Sequence, residues 1–325
     1  AASRYLRQGH HVVVVDDPSR PGVDRNLAWL EGQGKLTFLK VDIRRPDPVK
    51  ELFQAHRDAG LVLHLAGQVA VTTSVTDPRT DFEINAFGTL NVLEGVRLAN
   101  IRAPFVFSST NKVYGGMEDV GVVEVGGRYQ YRDLPSGVSE ERGLDFHSPY
   151  GCSKGAADQY VRDYHRIYGL NTVVFRQSCI YGYRQFGAED QGWVAWFMIA
   201  LQVGRPITIY GDGKQVRDIL FIDDLLDAFD AAVSRIDACA GQIYNVGGGP
   251  SNVLSLRELL VFLSHRRGSK VQHGDADWRP GDQRVYVSDV RRAQRELGWT
   301  PQTSASEGLE KLYDWVAANK KLFEG

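Results

Sequence analysis

DFHSPYGCSKGAADQYVRDY, residues 145–164, is the stretch around which this chain is organised, and it belongs with SSTNKVYG at 108–115. Tyr150 and Lys154 stand four apart at the start of a helix-favouring run, so a phenol and an ammonium share one helix face. A phenol with its ordinary pKa near 10 is a poor base at neutral pH, and an adjacent fixed cation favours the phenolate. Thr110, from the other segment, supplies a hydroxyl to complete a site that removes a proton from an alcohol while hydride leaves its carbon. Tyr-x-x-x-Lys alone is also what an ordinary amphipathic helix carries. The order raises its weight: an apolar strand, Ser-Ser-Thr, an intervening segment, then Tyr-Gly-Cys-Ser-Lys at a helix start.

Outward from that pair, the first 175 residues alternate strand and helix. Val12–Val15 is a β-branched run fit for a strand buried on both faces, and 36–41, 61–65, 105–107 and 172–175 repeat the pattern. Helical stretches lie between them, and in 81–100 Phe82, Ala86, Leu90 and Leu93 fall on one side at helical spacing. Such alternation predicts an α/β fold with a Rossmann-like, doubly wound parallel sheet. The chain opens on what reads as the second half of a helix, a turn at Gly9, and a strand ending in an acid. The strand and glycine-rich loop expected before that helix are missing, so the sequence looks truncated inside its first βα unit.

After residue 176 the rhythm changes to a loop at 184–192, a helix from Trp193, a short strand with a glycine turn at 206–218, and further helices. No long linker or repeat separates the parts. The expected division is a dinucleotide-binding domain, 1–176 and 216–246, interleaved with a smaller α/β substrate lobe, 177–215 and 247–325. A chain of 325 residues with formal charge −2 has ample core, and no basic run points to nucleic acid. The longest apolar stretches are strand-sized, so no membrane span is expected. Three scattered cysteines, Cys152, Cys179 and Cys239, lack metal spacing and fit a reduced, cytoplasmic setting; no metal site is expected.

Taken with HLAGQVAVTTS (64–74), the RQF…DQGWV segment, GKQVRD (213–218) and DQRVYVSD (282–289), these motifs resemble the extended short-chain dehydrogenases/reductases. More narrowly they resemble the NAD-dependent epimerase/dehydratase family and, within it, 2-epimerases of CDP-activated sugars. The resemblance covers essentially the whole chain, while 116–139 matches poorly and is expected to touch substrate. It implies NAD as cofactor, with Asp16, Asp42, Ile43, Leu65, Ala66, Gly67, Asn85, Ser108, Tyr150, Lys154 and Gln177 as its binding residues. A carboxylate at Asp16 would accept from the adenosine ribose and repel a 2′-phosphate, favouring NAD over NADP, although Arg20 downstream could welcome that phosphate.

The resemblance further implies Thr110, Tyr150 and Lys154 as the catalytic residues. It gives Thr110, Asn111, Gln177, Arg217, Arg279 and Asp282 contact with a nucleotide sugar, a CDP-sugar being favoured, in a homodimer or homotetramer serving carbohydrate (O-antigen) biosynthesis. Guanidinium forks suit a diphosphate, and the plainer alternative for Arg217 and Arg279 is two surface salt bridges. A 4-epimerase or 4,6-dehydratase of a UDP- or dTDP-sugar is the nearest rival, and a non-catalytic NAD-binding relative is another. A dehydratase would carry acids directly after the threonine, where this chain has Asn111 and Lys112. His147 and the Trp193–Trp196–Phe197 cluster are expected to be structural.

Overall fold

The computed structural model describes residues 1–279 and 281–324. In chain order its strands are β1 (Val12–Asp16), β2 (Leu36–Lys40), β3 (Val62–His64), β4 (Phe105–Thr110), β5 (Val122–Val125), β6 (Arg128–Tyr131), β7 (Thr172–Gln177), β8 (Cys179–Tyr181), β9 (Thr208–Tyr210), β10 (Val216–Phe221), β11 (Gln242–Val246), β12 (Val253–Ser255), β13 (Gly274–Ala276) and β14 (Val285–Tyr286). A parallel sheet in the order β11–β7–β4–β3 forms the centre.

Strand alternation explains why this sheet is covered on both sides. Phe105, Phe107 and Val174 meet Val92, Leu93, Val96, Ala157 and Val161, from the helices Gly88–Leu98 and Ser148–Tyr168. Val106, Val173 and Phe175 point the other way, onto Leu225, Leu226 and Phe229 of the helix Ile222–Ser234. Neighbouring side chains on a strand face opposite ways, so a continuous apolar run is what a doubly covered strand needs. The α/β, doubly wound reading therefore holds.

Two local expectations are corrected. β1 and β2 pair only with each other in a parallel ladder, and all five residues of β1 are half-buried, not buried on both faces. Among the described residues, no strand bonds the other edge of β1 or of β3. The anticipated helix face at 82, 86, 90 and 93 is also broken. A π-turn, Glu83–Phe87, sits between the helical segments Pro78–Phe82 and Gly88–Leu98, and its wider turn rotates the face. Phe82 is left 56 % exposed while Ala86 and Leu93 stay buried.

The second half builds its own core. The helices Trp193–Val203, Leu256–Arg267 and Ala305–Ala318 bring Phe197, Met198, Leu259, Leu263, Leu312 and Val316 together. β10 carries β12 antiparallel along its first half, with β14 and β8 parallel beside it. Because β8 follows β7 directly, the chain passes from the central sheet to this second sheet at Gln177–Cys179, and the cavity lies at that passage.

Candidate active site

The cavity, of about 400 Å³, is lined at one end by Leu65, Gly67, Ser108, Thr110, Tyr150, Lys154 and Gln177. The register of β4 on β7 sets Thr110 opposite Gln177. Tyr150 and Lys154 come from the first turns of Ser148–Tyr168. That helix starts at Ser148, whose hydroxyl accepts from Gly151 N at 3.2 Å, while Ser74 Oγ accepts from Tyr150 N at 3.1 Å. Gly155 is required here, because a Cβ would sit 2.3 Å from the Phe146 ring lying across the helix.

Electrostatics at this end are set by burial. Lys154 Nζ donates to Ser108 O at 2.6 Å and lies 4.4 Å above the Phe107 ring. Desolvation lowers its pKa to about 8, against the pull of Asp158 and Asp81. Burial pushes the Tyr150 phenol up to about 12, although a hydrogen bond with Thr110 pulls it down. In this arrangement burial is the largest influence on the phenol and Lys154 is not among the groups that shift it, so the expected help from the ammonium is not expressed before cofactor and substrate occupy the cavity. Thr110 Oγ1 is held in turn by the backbone N–H of Lys112 at 3.2 Å.

Beneath Lys154, one helix turn on, lies a charged pair inside the protein. Arg176 Nη2 and Nε donate to Asp158 at 2.9 and 3.0 Å, Ser109 Oγ donates to the same carboxylate at 2.7 Å, and the two charged side chains are 3 % and 0 % exposed.

At the other end stand Asn111, Lys112, Cys179, Gln215, Arg217, Arg279 and Asp282. Neither arginine forms an ion pair among the described residues. Arg217 Nη1 donates to the Val216 carbonyl at 2.9 Å. Arg279 donates to the Glu189 carbonyl at 3.0 Å and stacks 3.7 Å from the centre of the Tyr210 ring. The salt-bridge alternative for these residues therefore fails.

The cavity does not gather every expected residue. Asp16, Asp42, Ile43, Ala66 and Asn85 are outside its lining. Asp42 is clamped by the Arg44 guanidinium, which holds its carboxyl below the usual range. Ile43 packs on the core, where a Cβ on Gly88 would meet its Cδ1 at 2.7 Å. Asn85 spends both ends of its amide on Gln68, Asp81 and Ser153. Asp16 is half-buried at the end of β1, and burial with Asp17 beside it raises its pKa. Arg20 donates to Gln191 Oε1 at 2.7 Å.

Other expectations are decided by the same geometry. His147 is exposed, and Trp193 and Phe197 line the cavity while Trp196 does not. Cys179 accepts from Trp193 Nε1 at 3.4 Å and its thiol is pushed up by burial, so it is no activated nucleophile. Residues 116–139, expected to touch substrate, do not line the cavity. They form the hairpin β5–β6, anchored on the 211–214 turn by Tyr129 to Lys214 and Asp212 and by Lys214 to Glu124. Among the described residues, no group of three or more His, Cys, Asp or Glu is placed to hold a metal ion, and no helix is long and apolar enough to cross a membrane.

Residues that would receive a nicotinamide nucleotide fit it at the reaction end. Gln177 Nε2 is buried without a partner among the described residues, and Lys154 offers its ammonium beside it. Gly67 leaves room, since a Cβ there would stand 3.0 Å from Asn85 and 3.7 Å from Lys154 Nζ.

Comparison with known proteins agrees with this geometry. The chain is 45% identical over 98% of its length to CDP-paratose 2-epimerase of Salmonella typhi, covering 95% of that protein. Among solved structures it resembles UDP-glucose 4-epimerase from Thermotoga maritima with UDP-glucose, at TM-score 0.82 and 28% identity over 97% of this chain and 94% of that one. It also resembles dTDP-glucose 4,6-dehydratase from Streptomyces venezuelae with NAD bound, at TM-score 0.82 and 27% identity over 99% and 95%. The model of the NAD dependent epimerase/dehydratase family matches residues 1–247, and the chain belongs to that family.

Proposed function

We propose that this chain inverts carbon 2 of a CDP-activated 3,6-dideoxyhexose, converting CDP-paratose to CDP-tyvelose through transient oxidation to a ketone. The observation that carries the reading is the convergence of Thr110, Tyr150 and Lys154 with two arginines lacking carboxylate partners in one cavity. Identity of 45% with a CDP-paratose 2-epimerase supports the choice of sugar and of carbon. Asn111 and Lys112, in place of acids after Thr110, weigh against a dehydratase.

Tyr150 takes the proton of the 2-hydroxyl, Thr110 hydrogen-bonds that oxygen, and Lys154 favours the phenolate and orients the nicotinamide ribose. NAD, when bound, supplies the hydride acceptor and donor. Carbon 3 of such a sugar bears no hydroxyl, and a ketone at carbon 4 acidifies only carbons 3 and 5. Inversion at carbon 2 therefore requires oxidation of carbon 2 itself, with the sugar turning its other face before reduction. Arg217 and Arg279 hold the diphosphate during that turn, while Asn111, Gln177 and Asp282 contact other parts of the nucleotide sugar. Asp16, Asp42, Ile43, Leu65, Ala66, Gly67, Asn85, Ser108 and Gln177 serve the cofactor, directly or by holding the residues that do. The same reading gives a dinucleotide domain at 1–176 and 216–246, a sugar lobe from the remainder, a homo-oligomer, and a cytoplasmic place in O-antigen carbohydrate synthesis.

Substrate deuterated at carbon 2 tests the mechanism. The label should remain at carbon 2 of the product, and reaction in heavy water should add none. Washout into solvent would show an enolising route, and inversion at carbon 4 would show the rival epimerase.

A further inference from the structure

We propose that Lys112 is a third cation of the substrate site, one that strengthens the hold on the diphosphate of the nucleotide sugar while it carries its proton. The inference rests on the nucleotide-sugar reading above and adds a residue to it.

Lys112 sits on the short 3-10 turn Asn111–Tyr114, directly after β4, and lines the cavity. Its backbone N–H holds the Thr110 hydroxyl, which ties it to the reaction end. Its Nζ donates to the Gly281 carbonyl at 3.0 Å and approaches Gln283 Oε1 at 3.5 Å. Both acceptors are neutral, and among the described residues no carboxylate lies within ion-pair distance. An ammonium has three donors. One is well used here and one barely, so a donor and a whole charge remain without a match.

The groups around it decide its sign. Arg217 faces it from β10, Cys179 from β8, and Asp282 and Arg279 from the loop before β14. Glu189 and Asp190 stand on the loop before Trp193, and Tyr150 and Lys154 on the catalytic helix. Glu189 accepts from the Tyr210 hydroxyl at 3.1 Å and Asp190 from Thr72 at 3.1 Å, so both acids already have partners. Burial and Arg217 lower the pKa of Lys112 from 10.5 to about 8, against Asp282 and Cys179. A cation taken out of water without a counter-ion is costly, and an anionic ligand removes that cost. A diphosphate beside Lys112 and Arg217 would restore the proton. Affinity is then complete at pH 7 and declines as pH rises through the pKa of the free site.

Calorimetric titration with CDP, and with cytidine as the phosphate-free control, tests this between pH 7 and 9. CDP affinity of the native protein should fall by about fivefold across that range, as expected when the deprotonated site binds about tenfold more weakly than the protonated one. Lys112→Arg should keep the pH 7 affinity and flatten the profile. Lys112→Met should be flat and weaker by about tenfold at pH 7, the loss of one charge-assisted contact. Cytidine binding should not follow pH in any of the three. A flat CDP profile in the native protein, or native affinity in Lys112→Met, would overturn the proposal while leaving the nucleotide-sugar reading intact. Absence of CDP binding to the native protein at pH 7 would remove that reading and the proposal together.

Discussion

The two ends of the cavity are built on opposite principles. At the reaction end, Lys154 is bonded to Ser108 O, Thr110 is held by Lys112 N, and Asp158 beneath is neutralised by Arg176. Asp158 and Arg176 compensate each other inside the protein, while the Lys154 ammonium rests on a carbonyl oxygen and the Phe107 ring and has its proton affinity set mainly by burial. At the far end, Arg217, Arg279 and Lys112 rest on carbonyl oxygens, an amide oxygen and an aromatic ring, with no carboxylate in ion-pair contact among the described residues. One end is anchored on a buried ion pair. The other is completed by an anion, so its charges should matter for binding and hardly at all for folding.

The largest effect that would break this contrast lies under the reaction end. Asp158→Asn leaves the buried Arg176 guanidinium without its counter-charge, a loss of about 3–5 kcal/mol for a broken buried pair. Urea denaturation of the variant should show a correspondingly lower midpoint, and a native midpoint would mean that the pair is not what fixes the helix to β4 and β7. Next in size, Tyr150→Phe keeps the ring and removes the proton acceptor. Turnover should fall about a hundredfold or more with KM little changed, and steady-state kinetics decide it. The smallest of the three sharpens the far end. Arg217→Ala should weaken CDP binding by about 1.5–3 kcal/mol, or roughly ten- to hundredfold. Because no carboxylate partner is lost with it, its thermal stability should stay within about 0.5 kcal/mol of the native protein. A variant that lost stability and kept its affinity would invert the comparison.

Much of the fold is legible because its strands need apolar side chains on both faces. The Phe105–Phe107 and Thr172–Phe175 runs say so without help from context, while the Val12–Val15 run marks a strand that stays half-buried. The reaction end is legible for a related reason: Tyr150 and Lys154 lie on one helix, where spacing alone places them together. Thr110 joins them through strand order. The π-turn at Glu83–Phe87 was not legible, since nothing local distinguishes its sequence from an ordinary turn, and it put Phe82 on the wrong face. Lys112 escaped notice as a binding residue because its significance depends on which neighbours lack a negative charge. That is a property of the folded surroundings, and no spacing expresses it. The hairpin β5–β6, expected at the substrate, stands outside the cavity lining for the same kind of reason. Its anchors, Asp212 and Lys214, are far from it in the chain.

The pairing of Thr110 with Gln177 has a consequence for how such an enzyme can change over evolutionary time. The two are held opposite by the β4–β7 ladder, and one residue inserted into either strand would turn every following side chain to the other face. Insertions and deletions are therefore closed to these strands. The chain between them includes β5–β6, which grips the 211–214 turn without entering the cavity. Length and surface character are free to drift there while the chemistry stays fixed. Diversity in this part of the molecule should accumulate as changes to a handle on the substrate lobe, separate from the atoms that move protons.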